Sequence, residues 1–160
     1  MNPTEAPKSM TLTCPGIVEG QTIRRTYTAD GADVSPALYW SHAPAGTKSF
    51  AVTCRDSDAP RGTFIHWVIY NIPGTASGVP EGLPRQEQLP DGSIQGINDF
   101  QEPGYIGPKP PPARTHNYHF ELTALNSMLP VETRVTAARL HELMKNHVLA
   151  TAKLSGTYRR

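Results

Sequence analysis

Residues 55–71 read Arg55-Asp56-Ser57-Asp58-Ala59-Pro60-Arg61-Gly62-Thr63-Phe64-Ile65-His66-Trp67-Val68-Ile69-Tyr70-Asn71, and the fold turns on them. The apolar run Phe50-Ala51-Val52-Thr53-Cys54 stops at two carboxylates. A Pro60-Arg61-Gly62 turn follows, and a second apolar run from Phe64 to Ile72 carries His66 through its first half. Short apolar runs bounded by turn residues predict strand, loop, strand. Both strands are apolar enough to be buried, so the polar groups among them need partners. The acids and the histidine therefore form either a structural hydrogen-bond network or a site.

Outward from this stretch, the chain is punctuated. Its 160 residues suffice for one domain with a real core, and its 16 prolines and 13 glycines interrupt short apolar runs throughout. That pattern favours a mainly β domain over a helical bundle. A net charge of +1, with 18% charged residues, offers no broad basic face for nucleic acid and no acidic tail. The N-terminus lacks an apolar signal-peptide core and no run is long enough to span a membrane, so a cytoplasmic protein without a transmembrane segment is expected. Cys14 and Cys54 are expected as two reduced thiols in strands; pairing would require neighbouring strands.

Residues 1–9 read as a flexible lead-in to a single domain over 10–160. Met10 to Cys14 and Gln21 to Tyr27 alternate like strands, with Asp30-Gly31-Ala32-Asp33 as a turn. Residues 73–113 are rich in proline and glycine and have almost no apolar periodicity. Ile94, Ile97, Phe100, Tyr105 and Ile106 are too apolar for a solvated linker, so an ordered loop lying over the sheet is expected. Tyr118 to Leu125 alternates as a strand. Thr136 to about Lys145 predicts a helix capped by Thr136, and residues 148–158 suit either more helix or a strand.

Beyond the loop stands His116, at the mouth of the next strand. Four segments then occur in order: Asp56-Ser57-Asp58-Ala59-Pro60, His66-Trp67, Gly96-Ile97-Asn98-Asp99-Phe100, and Gly104-Tyr105-Ile106-Gly107-Pro108-Lys109-Pro110-Pro111. Together they resemble the phosphatidylethanolamine-binding protein family, also called the Raf kinase inhibitor family, and its small prokaryotic branch most of all. The resemblance covers nearly the whole chain. It implies a phosphatidylethanolamine-binding-protein-like fold of antiparallel β-sheets with a C-terminal helix and the long Gly/Pro-rich loop. It also implies a small pocket for anions, such as the phosphate of a phospholipid head group or of a phosphorylated protein group. The residues it assigns to that pocket are Asp56, Asp58, Pro60, His66, Gly107, Pro110, Pro111, His116 and Tyr118. It further implies a cis peptide bond before Pro60, and a protein partner such as a kinase. Two positions depart from the prokaryotic pattern: Lys109 replaces a common cysteine and Gln101 a common glycine.

The residues carry their own argument for binding. Two histidines can donate to an anion while a carboxylate behind them orients the rings. Glycines admit backbone close to a ligand, and prolines keep the wall stiff. A non-enzymatic binding protein, monomer or homodimer, without cofactor or metal, is the expectation. The alternative is a metal-assisted or Asp/His hydrolase using the same pocket, since an Asp/His/His set can hold a metal with an open position. A third reading is protein interaction through the 73–113 loop or the helix. There is no Gly-x-Ser-x-Gly elbow, no P-loop and no dinucleotide fingerprint.

Overall fold

A computed structural model describes residues 9–160; the expected lead-in lies almost wholly outside them. Strands β1 (Thr11–Thr13), β2 (Leu38–Ser41) and β5 (Gly78–Val79) form a small antiparallel sheet in the order β1-β2-β5. The main sheet runs β6-β4-β3-β7-β8, again antiparallel, from β3 (Ser49–Asp56), β4 (Phe64–Pro73), β6 (Ile94–Gln95), β7 (Thr115–Leu125) and β8 (Val148–Arg159). One helix, α1 (Ala137–Met144), precedes β8, and Thr136 caps it by accepting from the Arg139 amide at 3.1 Å.

Both faces of the main sheet are covered, which explains the nearly unbroken apolar runs of β3 and β4. Along β3, Phe50, Val52 and Cys54 join Leu12, Leu38 and Trp40 in a core between the two sheets. Ala51, one residue out of phase, joins Val68, Tyr70, Leu129, Val135 and Leu140 in a second core beneath α1. Cys14 and Cys54 are buried free thiols, as expected.

The structure resolves one open boundary and corrects one strand. Residues 148–159 continue as β8, whose alternation buries Ala152, Leu154 and Tyr158 against the inter-sheet core. Asn146, with φ of 69°, breaks the path from helix into strand. The alternating segment Gln21 to Tyr27 is not a strand. It touches β8 through the single parallel bridge Thr22–Thr157, then closes into a 3-10 turn over Arg25–Tyr27. Ile23 and Tyr27 are buried, and a four-residue spacing of apolar anchors serves a turn as well as alternation serves a strand.

The long loop is ordered because polar anchors tie it down. The Tyr105 hydroxyl donates to the Tyr27 carbonyl, the Tyr27 hydroxyl to Glu81, and the Ala29 amide to the Pro108 carbonyl. Gln95 accepts from the buried Trp67 indole at 2.8 Å and donates to the carbonyls of Pro84 and Gln86.

Candidate functional site

Three strands end together. Asp56 on β3 pairs with Phe64 on β4 and with Tyr118 on β7, and His116 lies two residues before Tyr118 on the same face. Cross-strand partners share a face, so these side chains stand side by side where the inter-sheet core runs out. Between the pairs Arg55–Ile65 and Cys54–Trp67 the register shifts, leaving His66 as the extra residue of a bulge. Ile65 consequently packs toward the helix-side core while Trp67 enters the inter-sheet core. Bulges of this kind re-aim side chains, and here the bulged residue is the histidine.

These residues line a cavity of about 200 Å³ with Ala59, Pro60, Phe100, Lys109, Pro110 and Pro111. The strands supply Asp56, Phe64, His66, His116 and Tyr118; loops supply the rest. His116 Nδ1 donates to Asp56 Oδ2 at 2.6 Å, and both side chains are about 95% buried. The other Asp56 oxygen accepts the Asp58 amide at 2.8 Å, which fixes the carboxylate. His66 Nδ1 donates to the Ile106 carbonyl at 2.6 Å, and the Ile106 amide returns a bond to the His66 carbonyl. Phe64, Phe100 and Tyr118 surround the His66 ring with centroids 5.1, 5.9 and 5.4 Å away.

Seven of the nine pocket residues implied by resemblance line this cavity: Asp56, Pro60, His66, Pro110, Pro111, His116 and Tyr118. Asp58 and Gly107 do not. Asp58 Oδ2 accepts from the Asn117 backbone at 2.7 Å and its amide side chain at 2.9 Å, which holds the Asp58 carboxyl below its ordinary range. It braces the start of β7. Gly107 donates its amide to Asp33 Oδ1 at 2.7 Å, and a Cβ there would lie 2.2 Å from the Tyr27 carbonyl oxygen. It is a close backbone approach behind the wall. The peptide before Pro60 is trans, correcting the expected cis bond: the described residues contain no cis peptide. Trans is the ordinary preference of an X-Pro bond, and a turn closed by the Gly62 amide on the Ala59 carbonyl makes the reversal.

Phe64, Phe100 and Ala59 were not legible as pocket residues, because an apolar residue at a strand end or in a loop carries no chemical signature. Asp33 was read only as a turn residue. It holds the Gly107 amide and pairs with Arg85 at 3.1 Å, while Arg85 also donates to the Tyr105 carbonyl. This pair clamps the loop that carries the proline wall. Gln101 sits at φ of 67°, the left-handed conformation that glycine adopts most easily. His119 faces elsewhere, bonded to Ser155 and Ser57.

Two electrical features stand out. Burial pushes the His66 imidazole below its ordinary value, opposed by its bond to Ile106. Burial, the nearby Asp56 charge and the reach of the Asp56 carboxylate toward the hydroxyl push the Tyr118 phenol up, although the two are not in good hydrogen-bond geometry. Yet Tyr118 Oη has no partner in hydrogen-bond geometry, alone among the buried side-chain polar atoms of the described residues. Such orphans are rare in native interiors and ask for an explanation. Among the described residues no three His, Cys, Asp or Glu side chains cluster as a metal ion would need.

The His66 shift has a consequence for acid stability. A folded-state value below the unfolded one (about 6.5) means that the folded chain binds fewer protons. His66 therefore supports folding fully above pH of about 6.5, and that support is lost as pH falls toward the folded value. Denaturant midpoints measured from pH 7.5 to 5 should fall more steeply for the wild type than for His66→Gln. Parallel profiles would refute the assignment.

Antiparallel sheets covered by a helix, with an Asp–His pair, a bulged histidine and a proline wall around a cavity at one strand end, define a mainly β fold with one small polar site. The sequence matches the phosphatidylethanolamine-binding protein family over residues 13–159, and the chain belongs to that family. It is 46% identical over 134 residues to a UPF0098 protein of Methanothermobacter thermautotrophicus, covering 84% of this chain and 88% of that one. Two crystal structures share the fold. A phosphatidylethanolamine-binding-protein homologue of Chlamydia trachomatis, CT736, superposes with a TM-score of 0.87 at 36% identity, covering 95% of this chain and 98% of its own. Escherichia coli YbcL superposes with a TM-score of 0.88 at 33% identity, covering 96% and 99%. No helix among the described residues is long and apolar enough to cross a membrane.

Proposed function

We propose that this protein binds a small phosphate-bearing group in the cavity between His66 and His116. The observation that carries the proposal is the orphan hydroxyl of Tyr118, 99% buried and lining the same cavity as both histidines and Lys109. A buried hydroxyl without a partner costs about 1–3 kcal/mol, and a ligand oxygen would supply that partner. Lys109 adds an exposed cation at the rim, and the stiff Pro110-Pro111 wall limits the ordering cost of binding. A phosphorylated side chain of a protein partner, a kinase among them, would present the same group as a phospholipid head group.

Calorimetric titration with inorganic phosphate is the test. The wild type should bind saturably, and His66→Gln and His116→Gln should each weaken binding by at least about tenfold, equivalent to ~1.4 kcal/mol. Tyr118→Phe should weaken it too while leaving the denaturant midpoint nearly unchanged, because the hydroxyl makes no well-formed hydrogen bond in the unliganded fold. Equal phosphate binding by all four proteins would remove the cavity from the function.

The hydrolase alternative keeps one observation in its favour. A buried carboxylate orients His116 so that Nε2 is left for the cavity, the arrangement of a general base with its orienting acid. Hydrolysis of phosphate or carboxylate esters that His116→Gln abolishes would establish that reading over simple binding.

A further inference from the structure

A second cavity lies within the Gly/Pro-rich loop. Its volume is about 460 Å³, against about 200 Å³ at the strand ends, and the two share no lining residue. The phosphate reading makes no use of it. Its floor is the inter-sheet core: Val79 and Leu89 are buried members of that core, and Leu83 packs against it. Pro80, Pro84 and Pro90 complete the apolar walls.

Backbone bonds hold these walls in place. The Gly82 amide donates to the Ser35 carbonyl and the Leu83 amide to the Ser35 hydroxyl, each at 2.9 Å. The Leu89 amide donates to the Ser93 carbonyl and the Gln86 amide to the Pro84 carbonyl, each at 3.0 Å. The Gln86 side-chain amide donates to the Gln88 carbonyl, and Ser93 gives both its amide and its hydroxyl to Asp91 Oδ1. Proline has no N–H to offer. The donors of the lining are thus largely committed within the protein.

Its acceptors are not. The Tyr27 hydroxyl bonds Glu81 through Oε1, and both Ser93 bonds fall on Asp91 Oδ1. Among the described residues, Glu81 Oε2 and Asp91 Oδ2 accept nothing, and no Lys, Arg or His lines the cavity. Arg85, the one cation between positions 79 and 93, turns its guanidinium to Asp33 and the Tyr105 carbonyl. An apolar floor and two carboxylates therefore stand together without a counter-charge.

We propose that this second cavity binds a small organic cation, an ammonium group carried on an apolar ring or chain. The ammonium donates to Glu81 and Asp91, and the apolar body sits on Val79, Leu83 and Leu89. An ammonium nitrogen has only donors, which complements an acceptor-rich lining. A carboxylate or phosphate ligand would meet like charge. Both carboxylates are exposed, so an ion pair alone contributes little in water. The apolar body supplies the affinity, and the charges choose among ligands. The volume falls in the small-molecule range of about 300–1,000 Å³, which favours a free amine over a protein segment.

Tryptamine is the probe, set beside tryptophol, indole-3-acetate and ethanolamine: the ring without the charge, the ring with the opposite charge, and the charge without the ring. Calorimetric titration of the full chain should show saturable tryptamine binding, at least about tenfold tighter than that of the other three, and weakening as salt is raised. Glu81→Gln and Asp91→Asn each keep an oxygen for Tyr27 or Ser93, so the fold survives, and each should weaken tryptamine binding about threefold. Methyl spectra should show the tryptamine shifts at Val79, Leu83 and Leu89. Absence of saturable tryptamine binding, equal or tighter binding of tryptophol or indole-3-acetate, unchanged affinity in both variants, or shifts confined to methyls outside residues 79–93 would each overturn the proposal. Phosphate titration of the same protein reports on the other cavity, so the two readings fail separately.

Discussion

Asp56→Ala is expected to lower folding stability by about 3 kcal/mol and to abolish phosphate binding. Leaving a buried polar group without its partner costs about 1–3 kcal/mol, and the Asp56–His116 pair is almost fully out of solvent. Two donors lose their acceptor together: His116 Nδ1 and the Asp58 amide. Asp56→Asn separates the two roles. Its single carbonyl oxygen can keep the Asp58 amide, so stability should fall by only about 1 kcal/mol. Its amide group then faces His116 Nδ1, which must give up its proton to accept. The ring's tautomer inverts and no carboxylate stands behind it, and phosphate affinity should drop although the fold survives. Guanidinium melts paired with phosphate titration of both variants check this. An alanine variant as stable as the wild type would show that the pair does not hold the strand ends together.

Gly107→Ala should cost a similar amount, about 3 kcal/mol, the upper part of the range for overpacking. Its φ lies outside the left-handed region, so the penalty is steric and not conformational. The added Cβ would meet the Tyr27 carbonyl oxygen, the Thr28 Cα and Asp33 Oδ1, the first two being backbone that cannot rotate away. Relief requires the segment from Tyr105 to Pro111 to lift from the 3-10 turn, loosening the Asp33–Arg85 clamp and displacing the proline wall. The variant should therefore lose phosphate affinity along with stability, although Gly107 does not line the cavity. A denaturant midpoint within error of the wild type would mean that the loop has slack the packing does not show.

These two positions also show which contacts a sequence makes legible. Asp56 and His66 were visible because polar groups interrupt apolar strands, and His116 because it follows a Gly/Pro tract at a strand mouth. Gly107 was read as a ligand contact, since a motif glycine signals close backbone approach without saying what approaches. Here it is the chain's own carbonyl. Asp58 enters the pocket set through the resemblance alone. The turn rotates Asp58 away to Asn117.

By itself the sequence determined the mainly β class, the apolar strand that ends at Asp56, the alternating strand from Tyr118, the capped helix after Thr136 and the family. These follow from local periodicity, turn chemistry and ordered motifs, all properties of neighbours in the chain. Only the tertiary structure decided which side chains meet. The one-residue bulge that aims His66, the ring of Phe64 and Phe100 around it, the Asp33–Arg85 clamp and the unpartnered Tyr118 hydroxyl each join residues from separate elements. So do the tautomers of both histidines, because a ring nitrogen takes its proton from the partner that packing sets against it.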